Sequence, residues 1–288
     1  MTDQPPASAP APRGDPVDDP EGGLPRLLEI MRRLRDPATG CPWDIEQDFD
    51  SIAPYTVEEA YEVADAIAQR DWDGLRGELG DLLLQAVYHA QMADEAGHFG
   101  FDDVVRGVAD KMVARHPHVF GAASRDKSAA QQTADWETIK AAERAGRAQG
   151  GVLDDVALAL PALMRAEKLQ KRAARVGFDW PDVSHVLDKL AEESAELVAA
   201  RAAADPAAIA DEFGDLLFVV VNLGRHLGVD PEAALRGTNA KFTRRFRAIE
   251  AALAAQGRRP QDATLDEMDA IWTAAKRAEK AAPGAQGA

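Results

Sequence analysis

Two short groups of acidic residues have the composition and spacing of a cation site. Glu58, Glu59 and Glu62 form the pattern E-E-x-x-E, and Glu78 with Asp81 forms E-x-x-D sixteen residues after Glu62. Residues three or four apart on a helix are surface neighbours, so like charges at that spacing repel one another. Carboxylates that crowd a small volume stay ionised when a hard cation such as Mg²⁺ or Mn²⁺ lies among them. The pattern therefore predicts metal binding.

The same pattern occurs a second time in the chain. Glu192, Glu193 and Glu196 repeat E-E-x-x-E, and Glu212 with Asp215 repeats E-x-x-D, each at an offset of 134 residues. Flanking features recur at slightly different offsets, as loops of unequal length would produce. We infer that one helical unit has been duplicated.

A helix cap and a solvated helix face are two alternatives to metal binding. Thr56 stands three residues before Glu59 and predicts a helix capping box, and charged helix faces are commonly only solvated. The second copy weakens the capping alternative, because a helix that starts near Asp182 or Ser184 places Glu193 several turns inside, where it cannot cap. Solvation explains poorly why Asp215 directly precedes the apolar run "LLFVVV". The duplication therefore favours the metal sites.

The elements that position these side chains are predicted to be helices. Apolar residues recur at helical spacing and end at glycines, and no segment alternates as a strand does, so we expect an all-α fold. Asp and Gly turn signals in "AQRDWDGLRG" predict that the two acidic helices form an antiparallel hairpin. The predicted organisation is a disordered arm at 1–23, helical domains at 24–140 and 155–280, a linker at 141–154 and a flexible tail at 281–288.

Basic pairs follow each acidic region. Lys111 with Arg115, and Lys241 with Arg245, are four residues apart on predicted helices. In an acidic protein such pairs can neutralise phosphate oxygens, although ordinary surface ion pairs explain either pair alone equally well. Both alternatives remain open at this point.

Three further residues are candidates for ligand contacts. Trp272 and Lys276 have the same spacing of four, which suits stacking on a base together with binding of phosphate; a tryptophan that anchors the bundle is the more common role. Asn222 interrupts an apolar helix seven residues after Asp215, where it contacts a ligand or satisfies a buried backbone group.

The composition excludes several classes of protein. The 288 residues are 46 % apolar, which suffices for proper cores, and their net charge of −16 argues against binding nucleic acid through its phosphates. Cys41 is the only cysteine, the first residues do not resemble a secretory signal, and the longest apolar run is too short to span a bilayer. We expect a cytoplasmic protein without a membrane partner.

Phosphate-loop, dinucleotide and nucleophile-elbow motifs are absent from the sequence, so phosphate chemistry would rely on metal.

Several longer segments resemble a known family. "RLRDPATGCPWD", "TVEEAYEVADAI", "LRGELGDLLLQAVYHAQMA" and "RHPHVF", followed by "LPALMRAEKLQKRAARVGFDW" and "EFGDLLFVVVNLGRHLG", are similar to MazG, the bacterial nucleoside triphosphate pyrophosphohydrolases. The resemblance implies an all-α bundle, Mg²⁺ dependence, a homodimer, and hydrolysis of NTPs and dNTPs to the monophosphate and pyrophosphate. Such an activity serves nucleotide-pool house-cleaning or level control. The wider superfamily includes dUTP and phosphoribosyl-ATP hydrolases, so the base stays undetermined.

The resemblance also assigns roles to residues. It implies metal ligation by Glu59, Glu62, Glu78, Asp81, Glu193, Glu196, Glu212 and Asp215, and orientation or deprotonation of the attacking water by Glu58 or Glu192. It implies phosphate and nucleotide contacts by Lys168, Arg172, Lys241, Arg245, Trp272 and Lys276. Asp211 stands where the family pattern has a glutamate. Two alternatives remain. In one, the first copy is structural or regulatory and the second, with its richer basic set "KFTRRFR", does the chemistry; in the other, the protein is a non-catalytic module that senses nucleotides or docks a partner.

Overall fold

The computed structural model describes residues 15–129, 131–133, 135–136, 138–139, 151–154 and 156–281. Every regular element in these ranges is helical, which confirms the all-α prediction. The predicted linker at 141–154 and tail at 281–288 lie largely outside the described residues. A search of the described helices for a membrane span, by length and hydropathy, finds none.

The chain divides near residue 146 into two compact units, each with a helical hairpin at its centre. The first unit contains α1 (Gly23–Leu34), α2 (Pro42–Glu46), α3 (Phe49–Gln69), α4 (Trp72–Glu95), α5 (Phe101–Arg115) and α6 (Pro117–Phe120). The second contains α7 (Ala162–Arg175), α8 (Val183–Ala202), α9 (Pro206–His226), α10 (Pro231–Ala254) and α11 (Leu265–Ala281). Short 3₁₀ turns occupy Pro16–Asp18 and Pro260–Asp262.

Aspartate caps and left-handed residues build the two hairpins. α3 ends at Arg70 with φ 57°, and the Asp71 carboxylate then accepts the Gly74 N–H to start α4. The second hairpin turns in the same way through Ala204, with φ 53°, and Asp205 caps α9. Such short turns, together with extensive packing of α3 on α4 and of α8 on α9, make each pair antiparallel, as predicted.

Each hairpin packs on a separate apolar core. In the first unit, the core consists of Met31, Ile52, Val87, Tyr88 and Met92. In the second unit, the fully buried residues include Val186, Val221, Ile249 and Leu253. Removal of these side chains from water is the main stabilising contribution to the packing of each unit.

The predicted capping box at Thr56 is wrong. α3 begins at Phe49, and the Asp48 carboxylate caps it by accepting the Ser51 N–H at 2.8 Å. Thr56 therefore lies two turns inside the helix, with its hydroxyl 2.9 Å from Nε2 of His89. A cap at this position thus cannot explain Glu59.

The predicted disordered arm is also corrected at its end. Among the described residues of the arm, Asp15 caps the 3₁₀ turn by accepting the Val17 N–H, and its carboxylate bonds the Arg33 guanidinium at 2.6 Å. Asp15 therefore ties this stretch to α1. The remainder of the arm, residues 1–14, lies outside the described residues.

Gly40 is a position in the first unit where a side chain would collide with the backbone. A Cβ built there would lie 2.4 Å from the Leu34 carbonyl oxygen and 2.6 Å from that of Asp36. We expect Gly40→Ala to destabilise the protein by about 2 kcal/mol or more, because the loop after α1 must shift. Denaturant unfolding measures the loss. The matched control is Gly107→Ala on α5, where a Cβ meets no atom within 4 Å; an equal loss there would contradict the prediction.

Candidate metal centres and the adjacent cavity

The first hairpin brings together three of the predicted carboxylates. One oxygen from each of Glu59, Glu78 and Asp81 lies within 4.8 Å of the other two. Glu62 is outside this trio but near Glu78; burial, followed by the charge of Glu62, raises the pKa of Glu78. The E-E-x-x-E helix, facing the E-x-x-D pair of the next helix, thus produces the geometry of a cation site.

The second hairpin forms a corresponding trio with different members. Here Glu193, Glu196 and Glu212 contribute one oxygen each within 4.8 Å of one another. Asp215 lies outside that trio, but it lines the same cavity as Glu193. The two sites therefore share a scaffold and differ in which carboxylates approach most closely.

The electrostatics of both clusters are unfavourable without a cation. Burial, followed by the charges of Asp81, Glu62 and Glu78, raises the pKa of Glu59 above its usual value. Burial, followed by the charges of Glu196 and Glu193, likewise raises the pKa of Glu212. Protonation or a bound cation relieves such repulsion, and hard oxygen ligands favour Mg²⁺ or Mn²⁺.

Glu193 provides an independent indication that a cation fits the second cluster. The residue is only 3 % exposed. Its Oε1 accepts from Lys189 Nζ at 2.7 Å, whereas Oε2 is buried and meets no hydrogen-bond partner within the described part of the chain. An ionised oxygen left in that state is costly, so a cation at Oε2 would complete its coordination. The donor set consists of carboxylate oxygens and suits a hard divalent ion.

Lys189 is a site residue that sequence analysis missed. Its ammonium bonds Glu192 Oε1 at 2.9 Å as well as Glu193, and these bonds raise the pKa of Lys189 above its usual range. The detectable signal was its position four residues before Glu193, the spacing of helical ion pairs. Lys189 fixes the orientation of both carboxylates and adds positive charge beside the cluster.

A cavity of about 650 Å³ opens beside the second cluster, a size that suits a small organic ligand. Its walls are mainly apolar, with a few polar groups. The lining residues are Leu153, Leu169, Gln170, Ala173, Gly177, Phe178, Asp179, Trp180, Lys189, Glu193, Asp215, Phe218, Val219, Asn222 and Arg225.

Asn222 belongs to a bonded network in the cavity wall. Its Oδ1 accepts from Arg225 Nη2 at 3.1 Å, and Arg225 Nη1 donates to Asp179 Oδ2 at 2.9 Å. The hydrogen bonds from Arg225 lower the pKa of the Asp179 carboxyl. Asp179 in turn precedes the aromatic Trp180, so the network fixes the polar side of the cavity.

The first unit has a different residue at the position of Asn222. With the 134-residue offset between α4 and α9, Asn222 corresponds to Tyr88. Tyr88 is 4 % exposed, packs in the core, and donates its hydroxyl hydrogen to the Asp44 carbonyl at 2.9 Å. A bulky core side chain therefore stands in the first unit where a small polar one lines the cavity of the second.

Two of the predicted basic and aromatic contacts of the second unit, Arg245 and Trp272, lie together. The Arg245 guanidinium lies 5.5 Å from the centre of the Trp272 ring and bonds Glu279 at 2.7 Å. Lys241 and Lys276 are exposed on α10 and α11. Within the described residues of this unit, none of these four lines the cavity. Their roles stay predictions.

The remaining predicted contacts lie on α7 and α5. Lys168 is exposed on α7 and Arg172 is half-buried there, one turn further on; neither is among the cavity-lining residues described for the second unit. On α5, Lys111 is exposed, and the Arg115 carbonyl accepts the Trp136 indole N–H at 3.2 Å. This bond ties Trp136 to the end of α5.

Comparison with protein families agrees with the duplicated helical architecture. A family model described as the MazG nucleotide pyrophosphohydrolase domain matches residues 47–120, and one described as phosphoribosyl-ATP pyrophosphohydrolase matches residues 160–241. The fold and its two carboxylate clusters therefore define an all-α protein of the pyrophosphohydrolase class, with one such domain in each unit.

Comparison with whole proteins is more specific. The nucleoside triphosphate pyrophosphohydrolase of Escherichia coli is 54 % identical over 256 residues, which are 88 % of this chain and 97 % of that protein. The nucleoside triphosphate pyrophosphohydrolase/pyrophosphatase MazG of Thermotoga maritima is 42 % identical over 87 % of this chain and 94 % of its own. The chain belongs to the MazG family of nucleoside triphosphate pyrophosphohydrolases.

The electrostatics predict how stability responds to Glu212→Gln. A pKa raised in the folded chain means that repulsion destabilises the fold above that pKa and is relieved as pH falls through it. In EDTA near neutral pH, we therefore expect Glu212→Gln to raise the melting temperature. The gain should shrink as the pH approaches 4.5, the usual value for glutamate.

Added Mg²⁺ should reverse that order, because the wild type then gains a ligand-linked stabilisation that the variant lacks. Scanning calorimetry in EDTA and in Mg²⁺ measures both effects. The control is Glu250→Gln, an exposed position on α10, which should show neither. A lower melting temperature for Glu212→Gln in EDTA would contradict the repulsion argument.

Proposed function

We propose that the protein hydrolyses nucleoside triphosphates at the α-phosphorus, with Mg²⁺ as cofactor and Mn²⁺ as a substitute, to give the monophosphate and pyrophosphate. Membership in the MazG family and the names of its relatives support this reaction. The observation that carries the metal dependence is the buried, unpartnered Oε2 of Glu193 beside Glu196 and Glu212. Ribose and deoxyribose nucleotides are both within the proposal.

We assign the chemistry to the second unit. Its carboxylate trio adjoins a cavity that is large enough for a nucleoside, lined by Trp180 and Phe178 for contact with a base. In the first unit, Tyr88 packs in the core at the position that corresponds to Asn222. The first unit keeps its carboxylates, and we assign it a structural or regulatory part.

Different residues of the second unit are assigned to cation binding and to activation of the attacking water. Glu193, Glu196, Glu212 and Asp215 would hold the cation. When bound, such a cation neutralises the triphosphate and lowers the pKa of a water molecule. Glu192 is positioned by Lys189 and would accept the proton of the attacking water, while the bond from the α-phosphorus to the bridging oxygen breaks and pyrophosphate leaves.

Positive charge is needed as the pyrophosphate departs. Lys241, Arg245 and Lys276 remain our candidates for its neutralisation, with Trp272 beside them. Arg245 would exchange its bond with Glu279 for one with a phosphate oxygen, which a guanidinium favours because it bonds two oxygens at once. Lys168 and Arg172 are retained as weaker candidates on the resemblance, and Lys111 and Arg115 on the spacing of their basic pair.

The broader setting follows from composition and family. The net charge of −16 disfavours a nucleic-acid partner, and the single cysteine suits the reducing cytoplasm. We also propose a homodimer, on the family resemblance. In the cell, this reaction would serve house-cleaning of the nucleotide pool or control of nucleotide levels.

The direct test is incubation with a panel of NTPs and dNTPs in Mg²⁺, in Mn²⁺ and in EDTA, with products separated by ion exchange. We expect monophosphate and pyrophosphate, and loss of both in EDTA. Diphosphate with phosphate would mean that a different bond is cleaved. Binding without turnover, independent of Mg²⁺, would instead support a nucleotide-binding regulatory module.

The assignment to the second unit is tested with matched substitutions in the two copies. We expect Glu196→Gln to lower kcat on the order of 100-fold. The substitution removes a carboxylate that would hold the cation, and the cation would stabilise the negative charge that develops in the transition state. Glu62→Gln changes the equivalent residue of the first unit and should leave kcat close to wild type. Melting temperatures check that both variants fold. Full activity in both variants and in the double variant would contradict the mechanism.

A further inference from the structure

Gln170 has a buried side chain whose hydrogen bonding is only half complete. The residue is 5 % exposed on α7, and its Nε2 donates to the Phe218 carbonyl of α9 at 2.8 Å. Its Oε1 is buried and has no partner within the described residues, and the residue lines the cavity beside the second carboxylate cluster.

The bond to Phe218 fixes the orientation of this amide. A backbone carbonyl accepts only from the NH₂ group, so Nε2 must face Phe218 and Oε1 must face another way. An oxygen held there is an acceptor without a donor, and a buried acceptor in that state is unfavourable until a ligand or water supplies one.

Most other polar groups in the cavity are already committed to partners. Lys189 bonds two carboxylates, and Asp179 and Asn222 both accept from Arg225. Apart from the carboxylate oxygen assigned to the cation, two buried polar atoms of the lining lack a partner among the described residues: the acceptor of Gln170 and the Arg225 Nε, which is a donor. Among the described residues, the cavity thus offers one buried acceptor and one buried donor without partners, in mainly apolar surroundings.

This pair suits a nucleobase better than a phosphate. Ionised phosphate oxygens only accept hydrogen bonds, so they cannot satisfy Oε1 of Gln170. A base carries both an N–H donor and an acceptor on its pairing edge, and its faces are apolar enough to contact Trp180 and Phe178. A ribose hydroxyl is a second possible donor, which the experiment must distinguish.

We propose that Gln170 is a specificity-determining residue whose Oε1 accepts a hydrogen bond from a base N–H. The inference rests on the proposed function, since it takes a nucleoside triphosphate as the occupant of the cavity. It predicts discrimination against bases that lack the N–H, because such a base leaves Oε1 buried and unpaired.

The test compares substrate pairs that differ by one donor: ATP with purine riboside triphosphate, which lacks the amino group, and UTP with N3-methyl-UTP, which lacks the ring N–H. For at least one pair, the kcat/KM of the wild type should be about 10-fold or more higher for the triphosphate that carries the donor than for the one that lacks it. Gln170→Met keeps the side-chain length without the amide and should bring that ratio close to 1. A ratio is informative because a mere loss of folded protein lowers both rates equally.

Two further variants control this result. Gln170→Leu removes the amide with a different side-chain shape and should also bring the ratio close to 1, which guards against a packing effect of methionine. Gln85→Met replaces a buried glutamine of the first unit whose Oε1 also has no partner among the described residues. This variant should leave the ratios unchanged. Unchanged ratios in Gln170→Met, or altered ratios in Gln85→Met, would overturn the inference.

The sugar is tested with ATP and dATP. One outcome is that Gln170→Met removes a preference for ATP over dATP while the kcat/KM ratios of the two substrate pairs that differ in the base stay as in the wild type. In that case the donor is the ribose hydroxyl and the inference is wrong. Dissociation constants from calorimetry with the same triphosphate pairs test the role of Gln170 in base recognition separately from the proposed hydrolysis. Selective binding that depends on Gln170, without any hydrolysis, would overturn the proposed function and support the role of Gln170.

Discussion

Repulsion between carboxylates is the constraint on which the rest of this structure depends. Each hairpin turns acidic residues of two helices toward one another, and in each unit three oxygens lie within 4.8 Å. Burial adds to the repulsion, as the raised pKa values of Glu59, Glu78 and Glu212 show. The antiparallel helices and their apolar cores provide the stability that keeps these charges together. A rigid scaffold thus preserves a site that a cation would stabilise.

The two units share one scaffold but differ in the surroundings of their carboxylates. Both hairpins turn through a left-handed residue and an aspartate cap, and both carry the repeated carboxylate pattern. The units differ in what surrounds the carboxylates: Glu193 is buried and held by Lys189, whereas Tyr55 stands at the position of Lys189 in the first unit and is exposed. Tyr88 and Asn222 are a second difference on the neighbouring helix. Duplication thus allowed the surroundings to diverge while the backbone geometry was retained.

The cavity of the second unit connects the carboxylates to recognition. Glu193 and Asp215 line the same cavity as Gln170 and Trp180, so carboxylates, an amide and an aromatic ring border one space. The Asp179–Arg225 ion pair holds another part of its lining. The arrangement suits a molecule with an anionic end and a flat, hydrogen-bonding end. In the proposed function, metal binding and base recognition are thereby assigned to neighbouring residues of one cavity.

The sequence by itself determined the all-α class, the duplication and the hairpins, because helical periodicity, repeated spacing and turn residues are local properties of the chain. It also predicted that acidic residues of the two helices face one another, since an i, i+3 pair shares a helix face wherever the helix packs; the closest trios leave out Glu62 in the first unit and Asp215 in the second. It misplaced the start of α3, because Thr56 resembles a cap and the Asp48 cap eight residues earlier competes with it.

Only the tertiary structure decided the rest. Burial of Glu193, the unpaired oxygen of Gln170 and the cavity that both residues line depend on how α9 packs on α8 and on α7, which involves residues far apart in the chain. Sequence spacing carries no information on such distances. The environment of a side chain, and hence its charge and its unmet hydrogen bonds, is therefore set by packing and not by its neighbours along the chain.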